Sequence, residues 1–185
     1  DSPELTELAW VFKPFHDLFR DRSRDASRFG AHERSDIVEA VGLHISRYVR
    51  GKAGRVELDT RYEVVGGGEG WSLVREQGVH ARTAMRAHGI QAFLAIRNRD
   101  DGNRDYTIAR MSPYVPFPVQ ELYGYLNEAE GIPPEASDRW DGGDTVGGSP
   151  RKAGSSLSPE ALTEAIEDAL KRVKVRGWQL VGEGI

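Results

Sequence analysis

Apolar residues in segment 4–20 fall three and four apart: Leu5, Leu8, Ala9, Phe12, Phe15 and Phe19 make a single stripe. That spacing predicts an amphipathic helix. Pro14 interrupts it, so either a kink or two short helices are expected there. Residues 21–34 are charged, carry Gly30 and lack a period, and they read as a loop. Ser35 and Asp36 are capping residue types, and beyond them Ile37, Val41, Ile45, Tyr48 and Val49 mark a second helix. From residue 55 the period changes. Residues 55–68 and 71–76 predict strands joined by a glycine-rich turn at 66–70. A short helix over 79–88 is closed by Gly89 as its C-cap. Residues 90–97 and 105–111 predict a hairpin about Asp101-Gly102. The prolines of 113–118 lack amide donors and cannot continue a central strand. Residues 119–131 predict a helix with Leu122, Tyr125, Leu126 and Ala129 inward. Ser158-Pro159-Glu160 opens another helix, with a capping hydroxyl, a first-turn proline and a carboxylate that the helix dipole favours. Residues 178–181 read as a last edge strand.

This order gives two helices followed by β-β-α-β-β-α-loop-α-β. It predicts an α/β (α+β-like) domain, a mixed sheet of about five strands with helices packed on it, behind an N-terminal helical arm. The expected division is a helical arm or linker over 1–54 and an α/β domain over 55–185. Hydrophobic residues at 38% and charged residues at 29% lie within the range of globular proteins. No apolar run approaches the roughly 20 residues of a membrane span, and no export leader is legible. The absence of cysteine excludes disulfides, thiolate nucleophiles and Cys-ligated zinc, and fits a cytoplasmic protein. A formal charge of −4 argues against bulk non-specific DNA binding, but clustered arginines can still hold a small anion.

The segment 140–160 has the most distinctive chemistry. Gly142-Gly143 and Gly147-Gly148 allow close backbone approach to a ligand, and successive inward amides make a nest for anionic oxygens. Ser149, Arg151, Lys152, Ser155 and Ser156 add donors and positive charge. The plainer reading is a surface loop, since Gly, Ser and Pro are what such loops contain. The segment is neither a Walker A loop nor a GxGxxG turn.

The run Gly147-Gly148-Ser149-Pro150-Arg151-Lys152-Ala153-Gly154, after Trp140-Asp141-Gly142-Gly143 and with a hairpin and helix before it, resembles the C-terminal DHH-associated domain of the DHH phosphoesterase family. The resemblance covers about residues 60–175. In that family a Gly-Gly-Gly-His-type loop binds the phosphate or nucleotide end of the substrate. The matching positions are Gly147, Gly148, Ser149, Arg151, Ala153 and Gly154. No histidine stands in this loop, and Arg151 takes its place. The family's Asp-His-His and other metal-binding aspartate motifs belong to a separate N-terminal domain and are absent here. The resemblance therefore implies the substrate-binding part of such an enzyme. Mn2+ or Mg2+ would be held by a catalytic domain outside this chain, reached through the helices of residues 4–50.

Among the arginines, Arg97 and Arg99 share one side of an extended strand, and guanidinium forks suit phosphate. Arg99 and Arg104 are expected to be neutralised by Asp100, Asp101 and Asp105, which leaves Arg97 and Arg110 as the better ligand candidates. His80 and Arg82 are further candidates, although a single histidine is more often structural. The histidines, at 16, 32, 44, 80 and 88, show no metal-ligand spacing, and Ser155 and Ser156 have no recognisable triad partners. The carboxylates of 119–130 read as a solvated helix face. Tyr106, Tyr114, Phe117, Tyr123 and Trp140 are expected mostly in the core, with one available for stacking on a base. The expected ligand is a phosphate-bearing small molecule or short single-stranded nucleic acid, with a catalytic domain or a second copy docked on the N-terminal helices. The alternatives are a protein-interaction or assembly domain and a complete small enzyme with a dispersed site.

Overall fold

The computed structural model describes residues 3–21 and 30–182, with side chains described at 4–17 and 30–173. The chain forms two compact units, residues 1–59 with 78–80, and residues 60–77 with 81–185. The division falls after Asp59, five residues beyond the expected boundary at 54: residues 55–59 join no strand, and Arg55 and Val56 bond to Glu7 and Thr6 of the first helix.

The first unit holds α1 (Pro3–Val11), α2 (Lys13–Asp21) and α3 (Ala31–Val49). Of the two outcomes expected at Pro14, the chain takes two short helices, and the break falls at Phe12, just ahead of the proline. Helix α3 begins at Ala31, ahead of the expected Ser35. Glu33 folds back to accept a hydrogen bond from the Gly30 amide at 3.1 Å, so the charged stretch before Ser35 already carries its own cap. Trp10 stacks on His44, with ring centroids 3.8 Å apart, and joins α1 to α3. The loop expected over 21–34 falls largely outside the described residues, as does the side chain of Phe19.

The second unit is an α/β fold built on a six-stranded mixed sheet of order β1-β2-β3-β4-β6-β5. Its strands are β1 (Tyr62–Gly68), β2 (Trp71–Glu76), β3 (Ala92–Asn98), β4 (Arg104–Arg110), β5 (Asp141–Gly142) and β6 (Val146–Gly148). Helix α4 (Ala81–Ala87) crosses from β2 to β3, the one parallel pair, and α5 (Val119–Ala129) and α6 (Pro159–Gly182) complete the unit. Alternation along the strands sorts the side chains. Leu94, Ile96, Tyr106 and Ile108 pack with Leu122, Leu126, Leu162 and Ile166 of α5 and α6, whereas Val74, Phe93, Ala95 and Ala109 pack with Ala81 and Met85 of α4.

Three expectations are corrected. Residues 178–181 continue α6 and form no strand. The well-capped start at Ser158, whose hydroxyl accepts from the Ala161 amide at 3.2 Å, propagates a helix through them. Within the segment 140–160, expected as a loop, residues 141–142 and 146–148 form two strands, so the sheet has six. Within α5, Tyr123 is buried where Ala129 was expected, and Ala129 is exposed.

Candidate anion-binding site

Cross-strand pairing sets a row of small residues on the α4 side of the sheet. Ala95 pairs with Thr107, Thr107 with Gly148, and Gly148 with Asp141. Directly paired residues share a face. Two positions along β3, on that same face, Arg97 pairs with Asp105. In the other direction the Arg82 guanidinium lies 5.2 Å from the centre of the Phe93 ring.

After Gly148 the chain closes on β4: Ser149 donates its amide to the Tyr106 carbonyl, and its hydroxyl accepts from the Tyr106 amide, both at 3.0 Å. It then leaves the sheet in a turn, residues 150–154, and returns where Ser155 bridges Arg104. Gly154 closes the turn by donating to the Pro150 carbonyl at 2.9 Å, with φ +70°. A side chain there would be strained in the left-handed region and would also lie 3.0 Å from the Arg104 carbonyl oxygen.

Gly147 and Gly148 do not build an amide nest. Their backbone belongs to β6, paired on both sides, and neither has positive φ. The inward amides are those of the turn, and Asp138 fills them: its carboxylate accepts from Lys152 at 3.1 Å, Ala153 at 2.9 Å and also the Arg151 amide. Burial alone would raise the Asp138 pKa, but these amides and the Lys152 charge hold it below the ordinary value. At the opposite end of the turn, the carbonyls of Lys152 and Ala153 accept from Arg99 Nη2 and Asn103 Nδ2, each at 2.9 Å.

The arginines divide by face. Arg97 and Arg99 both grip Asp105, at 3.0 Å from Arg97 Nε and 3.0 Å from Arg99 Nη1, and Arg99 also reaches Asp101 at 3.2 Å. Burial would push the Asp105 pKa up, and hydrogen bonds from the two arginines outweigh it and bring it below the ordinary value. The hydrogen bond to Asp105 is the main reason the Arg99 pKa is raised. Arg104 and Arg110 point to the α5–α6 side. Arg104 donates to the Leu157 carbonyl at 3.3 Å, so its partner is main chain rather than the aspartates expected for it. Arg110 is held by the main-chain oxygens of Asp144 at 3.0 Å and Val115 at 3.1 Å. Arg110 and Gly147 are therefore parted from Arg97 and Gly148 by the sheet itself.

Three exposed cations stand on the segments near Gly148, one on β3 and two in the turn that follows β6. Arg97 leaves 55% of its side chain exposed despite Asp105. Arg151 is 86% exposed, and Asp141, opposite Gly148, is 4.0 Å from it. Lys152 is exposed one residue further along the turn. Arg82, paired with Glu76 at 2.7 Å, lies at the far end of the same face. His80 belongs to the other unit, where its ring faces His16 at 5.3 Å and neither ring nitrogen has a hydrogen-bond partner.

Two carboxylates that organise this region escaped sequence reasoning. Asp138 is one. The other is Glu130, read as part of a solvated face yet half-buried: it accepts from Ser155 Oγ at 2.7 Å, the Ser156 amide at 2.8 Å and Trp140 Nε1 at 2.7 Å. Ser155 is thereby committed to structure. Neither acid carries a local signal, because each meets its donors from a different stretch of chain. Tyr106, Phe117, Tyr123 and Trp140 are buried, and Tyr114 is 94% exposed. Among the described residues, no three histidine, aspartate or glutamate side chains form a group that could hold a metal ion. Among the same residues no helix is long and apolar enough to cross a membrane. No protein-family model, curated protein or solved structure matches the chain.

Proposed function

We propose that this chain is the substrate-recognition part of a DHH-like phosphoesterase, holding a phosphate-bearing ligand (a short oligonucleotide, a nucleotide or a polyphosphate) at the Gly148 row. The observation that supports this most is that Arg97, Arg151 and Lys152 are all exposed, on β3 and on the turn that directly follows Gly148. The guanidinium forks can receive phosphate oxygens bidentately. The chain supplies binding and orientation. Attack on phosphorus would depend on metal ligands contributed by another domain.

The test is titration of a short 5′-phosphorylated oligonucleotide at fixed salt into the wild-type chain and into Arg97→Ala, Arg151→Ala and Arg151→Lys. Loss of one charge-assisted contact at 151 should lower affinity by about one to two decades, equivalent to ~1.5–3 kcal/mol. Lysine should restore only part of it, because it lacks the planar fork. Equal affinity across the four proteins would remove the proposal. A second reading, a protein-interaction unit, draws on exposed apolar surface in the first unit: Leu5, Leu8, Phe12 and Phe15 are 42–47% exposed. That reading survives the titration whatever its result.

A further inference from the structure

On the α5–α6 side of the sheet, opposite the Gly148 row, lies a cavity of about 470 Å3. That volume falls within the range of small-molecule sites. Its walls are apolar where Phe117, Leu170 and Val173 meet. Arg110, only 16% exposed, is part of its polar lining. Two of the three hydrogen bonds of this guanidinium go to neutral main-chain oxygens. Its one carboxylate contact within the cavity is Asp144, 3.4 Å away and 56% exposed. A charge-assisted bond of this kind normally closes to 2.7–2.9 Å. Arg110 is therefore a largely buried cation whose counter-charge is a loosely held surface side chain.

We propose that this cavity binds a small amphiphilic carboxylate, whose headgroup takes the place of Asp144 on Arg110 while its hydrocarbon body lies along Phe117, Leu170 and Val173. Asp144 is the protein's own stand-in for that headgroup. The second acid of the lining, exposed Glu121, sits in the first turn of α5. It opposes any further negative charge, which selects a monoanion with an apolar tail over a phosphate ester or a dicarboxylate. The inference is independent of the phosphate-binding reading, since the sheet separates the two places.

Octanoate is the probe, titrated into the full chain by calorimetry with octylammonium and octanol as controls. Octanoate should bind one-to-one and more tightly than either control. Asp144→Asn removes the internal competitor and should tighten octanoate several-fold. Arg110→Gln should weaken it at least ten-fold. Because Arg110 also ties down two main-chain oxygens, Val173→Glu provides a second variant: it places a like charge in the apolar wall and should weaken octanoate to a similar degree. Arg151→Ala should leave octanoate unchanged, whatever it does to an oligonucleotide. Octylammonium binding as tight as octanoate, an unchanged or weakened affinity in Asp144→Asn, or full affinity in Val173→Glu overturns the proposal.

Discussion

A Cβ built on Gly148 would lie 2.7 Å from the Tyr106 carbonyl oxygen, and one on Gly147 would overlap the Tyr123 hydroxyl. These glycines are required by what crowds them, not by a left-handed turn. At the neighbouring turn the deciding residue is Asp138, which holds three successive amides as a helix N-cap does. Replacing it with alanine leaves those amides without their carboxylate and should lower stability by about 1 kcal/mol, by analogy with N-cap deletions. The effect has a pH signature. A carboxyl held below its ordinary value of 3.8 contributes stability that is fully present above that value and is lost as pH falls through the folded pKa. Urea unfolding of wild type and Asp138→Ala should therefore differ at pH 7, and the gap should shrink as pH falls below 3.8. A gap that keeps its size would mean that the carboxylate charge contributes nothing.

At the scale of elements, legibility tracked how local the cause was. The start of α6 is local: Ser158, Pro159 and Glu160 supply hydroxyl, fixed φ and negative charge within three residues, and the expected start is the observed one. Ser158→Ala should cost about 0.5–2 kcal/mol, and Ser158→Asp should recover most of it. Chemical denaturation followed by far-ultraviolet circular dichroism reads both, and an alanine variant as stable as wild type would show that the cap is idle. The β3–β4 hairpin was equally legible, since two β-rich runs and Asp101-Gly102 lie within one stretch. Strands β5 and β6 were not. Val146-Gly147-Gly148 has poor strand propensity by itself and becomes a strand only because β4 offers a partner and Tyr123 closes over it, donating to the Gly143 carbonyl at 2.8 Å. The same gap explains the site. Arg97, Arg151 and Gly148 could be named from the chain, but which side of the sheet Arg97 and Gly148 take depends on register. So does the parting of Arg110 from them, and Asp138 in the nest depends on a contact between distant segments.

At the scale of the whole molecule, the two units differ in what acid should do to them. In the first, His16 and His80 line a small cavity with Lys13, Asp17, Glu57 and Asp59. Burial lowers the pKa of both histidines. The charge of His16 lowers His80 further, while Asp17 and Asp59 act in the opposite direction on His16 and His80 respectively. Neither ring nitrogen of His80 has a hydrogen-bond partner, so no hydrogen bond joins Asp59 in offsetting the cost of burying its protonated form. The sign follows from linkage. Both folded values lie below the ordinary 6.5, so an unfolded first unit binds protons that the folded one does not. Its stability is level above about pH 6.5 and falls as pH drops below it. Hydrogen exchange, corrected for intrinsic rates, should show protection in α1 and α3 declining between pH 7.5 and 5.5 while β3 and β4 keep theirs. Replacing His80 with leucine, which cannot take up a proton, should flatten most of that decline; its stability at pH 7.5 is a separate quantity and does not enter the comparison. A first unit whose protection is indifferent to pH, or a His80→Leu chain that declines as steeply as wild type, would show that the buried histidine pair does not govern its response to acid.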